Sequence, residues 1–192
     1  GYSLWGDWMN INPEVFPEGL DSIVKEAALR GLETGIWLAP FLAEADSQVL
    51  KDHPDWFLRK PDGSYVPAWT GRVIFDYSND EVVDYLRRCI RFFRNAGITY
   101  LKIDFLRAGT LSGLGKVPMS AYERFHRCLS ALREEAGADC YILGCSAEFA
   151  PCIGHVDGMR VGPDISPKFE DVRKSAHCCM ASAHLHRKVY QC

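Results

Sequence analysis

Two aspartates in this sequence lie where an enzyme could use a pair of carboxylates. Asp104 ends an apolar run, and Lys102 lies on the same side of that predicted strand because side chains alternate with period two. Asp164 follows a second apolar run, four residues after Arg160. A nucleophilic carboxylate and a proton-donating one are the pair that hydrolysis of an acetal needs. For either aspartate alone, a loop cap or a surface ion pair is the alternative.

The residues around these aspartates alternate between helical and strand patterns. Helical spacing of apolar residues, with caps at Ser78 or Asn79 and at Ser120, and with stops at Gly31, Gly97 and Gly137, predicts amphipathic helices. The predicted helices cover residues 20–28, 81–95, 120–136 and 171–186. The predicted strands cover residues 34–39, 73–76, 100–104, 141–144 and 159–162.

Strands alternating with helices predict a parallel α/β architecture, either an open doubly wound sheet or a barrel. No glycine-rich phosphate-binding motif follows a strand, which disfavours the open nucleotide-binding sheet. Polar residues follow the predicted strand ends, where barrel loops present chemistry: Asp76, Asp104, Cys145 and Asp164. A complete (β/α)8 TIM barrel needs about 250 residues. We therefore expect residues 1–192 to be one truncated barrel domain, with about strands 2 to 6 and pieces of strands 1 and 7.

Residues 53–68 interrupt the alternation and predict a hairpin inserted after the second strand. Its aromatic residues either fill a small core of the insertion or touch a ligand: Trp56, Phe57, Tyr65 and Trp69.

Composition excludes several classes of protein. With 22 Lys+Arg against 25 Asp+Glu and no charged run, nucleic acid is not an expected partner. No apolar stretch approaches the roughly 20 residues that span a bilayer, so we expect no membrane partner. The eight cysteines form no C-x-x-C pair, which favours a reducing, cytoplasmic location.

We expect no cofactor and no metal. Histidines and cysteines are crowded near the end of the sequence, at His177, Cys178, Cys179, His184 and His186. These residues lack metal-binding spacing, and a helix points residues two apart in different directions, so a helix face is favoured over a metal hydrolase site.

The sequence resembles glycoside hydrolase family 36, the α-galactosidases, within the melibiase clan. Six blocks in the order of that family carry the resemblance: residues 5–8 (WGDW), 35–41 (GIWLAPF), 53–56 (HPDW), 101–106 (LKIDFL), 142–145 (ILGC) and 156–164 (VDGMRVGPD).

The resemblance implies roles for particular residues. Asp104 would be the nucleophile at the end of the fourth barrel strand, and Asp164 the acid/base after the sixth, kept protonated by burial beside Asp104. Trp37, near the catalytic end of the second strand, would face the sugar, and Cys145 would lie near its 2-hydroxyl. Lys102 would hold the charge of Asp104 and reach sugar hydroxyls.

By the same resemblance, Arg160 would orient Asp164 and a sugar hydroxyl. The implied protein is a retaining α-galactosidase that releases terminal α-linked galactose from galacto-oligosaccharides by double displacement. Self-association of the full-length protein stays open. The alternatives are a related retaining α-N-acetylgalactosaminidase or α-glucosidase, or a sugar-binding barrel without catalysis. The sequence departs from the family at Ser146-Ala147-Glu148, where relatives tend to have small residues and Pro.

Overall fold

The computed structural model describes residues 4–164, 166–185 and 190–191. The strands are β1 (Gly35–Leu38), β2 (Leu42–Ala43), β3 (Pro67–Ala68), β4 (Arg72–Ile74), β5 (Tyr100–Ile103), β6 (Tyr141–Gly144), β7 (Gly158–Met159) and β8 (Tyr190–Gln191). The α-helices are α1 (Gly19–Leu29), α2 (Gln48–Asp52), α3 (Asp80–Asn95), α4 (Ala121–Ala136), α5 (Phe149–Cys152) and α6 (Phe169–Ser182).

The main sheet has the order β1-β5-β6-β7-β8, and every neighbouring pair is parallel. Helices α3, α4, α5 and α6 occur in the connections between successive strands of this sheet. Parallel strands joined through helices in sequential order are the arrangement of a (β/α)8 barrel, so the predicted partial barrel is confirmed. The carboxyl ends of all its strands lie at one edge of the sheet.

One predicted barrel strand was wrong. The run at 73–76 contributes to β4, which pairs antiparallel with β2 and β3 in a separate three-stranded sheet. Strand β1 therefore pairs directly with β5, and Trp37 lies in register with Lys102. If the strand before Asp104 is counted as the fourth, Trp37 lies on the third rather than the second. A short apolar run can be buried in either kind of sheet, and its periodicity does not identify its partner.

The three predicted helices that end at glycines were confirmed as α1, α3 and α4. Helix α4 begins with the predicted capping box: the Glu123 N–H donates to Ser120 Oγ at 3.2 Å, and the Ser120 N–H donates to the Glu123 carboxylate at 2.7 Å. The Asn79 side chain caps α3 by accepting from the N–H of Glu81. Helix α6 covers most of the predicted 171–186, whereas His186 lies outside the described residues.

The insertion after β2 contains a tight turn, in which Arg59 pairs antiparallel with Tyr65. The Asp62 carboxylate accepts from both the N–H and the hydroxyl of Ser64. Of the aromatic residues in this region, Trp56 and Phe57 are buried in the core, but Trp69 is 48% exposed. The aromatic residues of the insertion therefore divide between core packing and exposure.

Candidate active site

The Asp104 carboxylate lies directly after β5 and is only 8% exposed. Its Oδ1 accepts hydrogen bonds from the Phe105 N–H at 2.7 Å and from the Ser146 hydroxyl at 3.0 Å. Its Oδ2 accepts one hydrogen bond from Trp37 Nε1 at 3.1 Å. Three donors from three different strand ends therefore fix the plane and position of this carboxylate.

The backbone after β5 and after β6 is strained. Within the described residues, Phe105 and Ser146 are the non-glycine residues with positive φ, and both have φ of 53°. The left-handed conformation costs a non-glycine residue about 1 kcal/mol or more, and such strain is concentrated at functional sites. The Arg107 N–H donates to the Ser146 carbonyl at 2.8 Å and so ties the two strained segments together.

Aromatic rings pack against Trp37 and Phe105, two of the residues that donate to Asp104. We call Trp5, Trp37, Phe105 and Trp69 the aromatic wall. Ring centroids are 4.8 Å apart for Trp5 and Trp37, 5.3 Å for Trp5 and Phe105, and 5.5 Å for Trp69 and Phe105. The Arg72 guanidinium lies 3.7 Å above the Trp5 ring. Trp69 directly follows the insertion, so the end of that segment lies at the site.

A cavity of about 390 Å³ opens beside Ser146, and we call it the Ser146 cavity. Its lining combines aromatic rings, two guanidinium groups, a carboxylate and a hydroxyl, contributed by Trp69, Arg107, Ser146, Ala147, Glu148, Phe149, Arg160 and Gly162. Ser146 connects the cavity to Asp104, since its hydroxyl donates to that carboxylate. A concave, partly aromatic site with a few convergent polar groups suits a small polar ligand.

Arg160 and Asp164 lie after β7 and form an ion pair, with 2.7 Å between Nη1 and Oδ1. The Asp164 side chain is 92% exposed, so the burial expected for it is not present in the structure. Arg160 lines the Ser146 cavity, whereas Asp164 faces a neighbouring groove along α6 that Val172 and Ser175 line. The Nε of Arg160 is buried and has no hydrogen bond partner in the described part of the chain.

Two other predicted site residues have different surroundings from those expected. Lys102 is half-buried on β5 and forms no ion pair with Asp104 in the described region. The expected charge pairing is therefore replaced by neutral donors from Trp37, Phe105 and Ser146. Cys145 is fully buried. Roles for Lys102 and Cys145 in sugar binding stay predictions.

Sequence reasoning did not identify Ser146 and Arg107 as site residues. Ser146 directly follows Cys145, so the departure from the family pattern at that position was the available signal.

Two aspartates outside the pair hold loops. Asp76, one of the polar residues expected at a barrel strand end, is 1% exposed and accepts from the Ser78 hydroxyl at 2.8 Å and the Lys116 N–H at 2.6 Å. It follows the antiparallel β4, so its expected place at the barrel edge was wrong. Asp7 is 7% exposed and accepts from the N–H groups of Gln48 and Val49, which start α2. Each carboxylate stabilises the backbone of the segment whose N–H groups donate to it.

Among the described residues, no three His, Cys, Asp or Glu side chains are placed to hold a metal ion. His177, His184, Cys178 and Cys179 lie on α6 and the turn after it, and His186 is outside the described region. No helix in the described part of the chain is long and apolar enough to cross a membrane. The seven described cysteines are free thiols, and the cytoplasmic location stays a prediction.

A buried, hydrogen-bonded carboxylate at the carboxyl edge of parallel barrel strands, connected through Ser146 to a polar cavity, is the kind of active site that (β/α)8 enzymes have. Similarity to known proteins identifies the particular family. The Melibiase family model matches residues 2–134, and the chain belongs to that family.

Similar proteins of known sequence are α-galactosidases. The chain is 34% identical over 131 residues to α-galactosidase AgaA of Geobacillus stearothermophilus, covering 66% of this chain and 17% of that protein. It is 30% identical over 132 residues to an α-galactosidase of Escherichia coli, covering 67% of this chain and 18% of that protein. The chain thus spans less than a fifth of the length of these curated relatives.

Solved structures of an α-galactosidase are also similar to this chain. The α-galactosidase TtGalA of Thermus thermophilus, in complex with p-nitrophenyl α-D-galactopyranoside, matches with a TM-score of 0.85 and 31% identity, over 100% of this chain and 42% of that chain. The same enzyme in complex with stachyose matches with the same TM-score and identity and covers 44% of that chain. The similarity therefore includes β7 and the segment with Asp164, which follow the residues matched by the family model.

Proposed function

We propose that the complete protein carrying this chain is a retaining α-galactosidase that releases terminal α-linked galactose from galacto-oligosaccharides. The observation that carries the proposal is the Asp104 carboxylate, 8% exposed and held by three donors beside the aromatic wall. Membership of the melibiase family supports it, as do relatives named as α-galactosidases. A neighbour solved with stachyose supports an oligosaccharide substrate.

In the proposed first step, an oxygen of Asp104 attacks the anomeric carbon of the galactose. The bond between that carbon and the glycosidic oxygen breaks, and Asp164 donates a proton to the departing oxygen. In the second step, Asp164 takes a proton from water, the water oxygen attacks the same carbon, and Asp104 leaves as a carboxylate. Two displacements at one carbon give net retention of the α-configuration.

The surrounding residues have separate proposed roles. Trp37 orients Asp104 through its Nε1 and contributes a ring to the wall that contacts the sugar. Arg160 borders both the Ser146 cavity and the groove that Asp164 lines, so it orients Asp164 and a sugar hydroxyl. Lys102 reaches sugar hydroxyls from β5, and Cys145 shapes the pocket floor near the 2-hydroxyl.

The test is hydrolysis of p-nitrophenyl α-galactoside by the complete protein, with nuclear magnetic resonance to identify the anomer released first. We expect α-galactose first, and at least about a thousandfold loss of kcat for Asp104→Ala and a large loss for Asp164→Ala. Asp84→Ala is the matched control, because Asp84 is an exposed carboxylate on α3. Unchanged turnover of the Asp104 variant would remove the nucleophile assignment.

Turnover of three p-nitrophenyl glycosides, the α-galactoside, the α-N-acetylgalactosaminide and the α-glucoside, forms a substrate panel that decides between the proposal and its alternatives. If the N-acetylgalactosaminide or the α-glucoside is turned over faster than the α-galactoside, that sugar rather than galactose is the substrate. Binding of galactosides without turnover of any panel member would indicate a sugar-binding barrel. If β-galactose is released first, galactosides are still the substrates, but the reaction does not pass through a covalent intermediate.

A further inference from the structure

Ser146 has a conformation that its side chain disfavours. Its φ is 53°, in the left-handed region where glycine is the usual residue. The residue follows β6 directly, and its backbone is fixed from outside: its carbonyl accepts from the Arg107 N–H at 2.8 Å, and the neighbouring Cys145 N–H donates to the Ile103 carbonyl at 2.8 Å. The surrounding structure thus imposes the strained geometry.

In this strained conformation the Ser146 hydroxyl lies within hydrogen-bond distance of Asp104, the candidate nucleophile. Its Oγ donates to Asp104 Oδ1 at 3.0 Å, and the Phe105 N–H donates to the same oxygen at 2.7 Å. Oδ2 has a different environment, because Trp37 Nε1 is its one partner among the described residues, at 3.1 Å. A carboxylate oxygen has two acceptor sites, so Oδ1 is saturated while Oδ2 keeps one lone pair available.

We propose that Ser146 is a positioning residue that selects the attacking oxygen of Asp104. This inference rests on the proposed function and deepens it. Oδ2 forms the bond to the anomeric carbon, and the electron pair of the broken glycosidic bond leaves with the oxygen that Asp164 protonates. Oδ1 becomes the carbonyl oxygen of the galactosyl ester and keeps its two donors. When water displaces the ester, the same donors stabilise the carboxylate as it leaves.

Paired substitutions in the complete protein separate the hydroxyl from the backbone strain. Ser146→Ala removes the hydroxyl and keeps the side chain that φ disfavours, whereas Ser146→Gly removes both. We expect kcat for p-nitrophenyl α-galactoside to fall about tenfold in each variant, as for the loss of one hydrogen bond to a reacting group, with KM within about twofold. Ser146→Gly should nevertheless melt at a higher temperature than Ser146→Ala.

The control is Ser112→Ala, which removes an exposed hydroxyl from the loop after Leu111 and should leave kcat unchanged. If turnover follows stability, so that Ser146→Gly equals the natural protein, the positioning role is overturned. A rise in KM with unchanged kcat would also overturn it, because Ser146 would then bind the sugar. Activity that survives Asp104→Ala would instead refute the proposed function itself.

Discussion

The Asp7 carboxylate should be a main stabilising contact of the segment that leads from β2 into the insertion. Its Oδ2 accepts from the Gln48 N–H at 2.8 Å and its Oδ1 from the Val49 N–H at 2.9 Å. These N–H groups begin α2 and have no partner within the helix. The contact joins positions 41 and 42 residues apart in the chain, so it closes a long loop.

Replacing Asp7 with Ala removes both hydrogen bonds at once. A hydrogen bond to a charged group contributes about 1.5 to 3 kcal/mol, and water can enter to satisfy part of what is lost. We therefore expect Asp7→Ala to cost about 3 kcal/mol. Asp7→Asn should cost about half of that, since one oxygen still accepts.

The assay is native-state hydrogen exchange, read by mass spectrometry on peptides that cover residues 44–58. A loss of about 3 kcal/mol corresponds to exchange that is faster by more than about a hundredfold. Asp46→Ala is the matched control, because Asp46 is an exposed acidic residue just before α2. If Asp46→Ala accelerates exchange as much as Asp7→Ala does, long-range charge is responsible, and the two direct hydrogen bonds of Asp7 do not stabilise this segment.

Two further predictions concern the core and the response to pH. Gly109→Ala places a methyl group 2.5 Å from the Phe41 ring and should destabilise the fold by about 2 kcal/mol. The measurement is the melting temperature, which should fall. An unchanged melting temperature would show that the Phe41 ring can move. The pKa of His155 is lowered from its usual 6.5, first by burial and then by His126 and Arg133, so the folded state favours the neutral ring. Stability should therefore fall as the pH drops below about 6.5, and melting curves of His155→Gln should show less of this loss; equal curves would contradict it.

Local sequence determined the helices. The start of α4 follows from Ser120 and Glu123, whose mutual capping needs only residues three apart. The stop at Gly137 follows from its φ of 79°, which glycine tolerates. The alternation of these helices with apolar runs predicted a parallel α/β architecture, and the order of six sequence blocks was enough for the family resemblance.

Tertiary structure decided which strands are neighbours and what surrounds the carboxylates. The run at 73–76 has the composition of a barrel strand, but it pairs in the antiparallel sheet, because strand pairing depends on distant partners that periodicity does not specify. Asp104 could be selected from its own strand, yet two of its three donors are Trp37 and Ser146, 67 and 42 residues away. Residue type and local pattern thus identified the carboxylate, while the fold alone supplied the groups that orient it, since those groups come together only when the strands align.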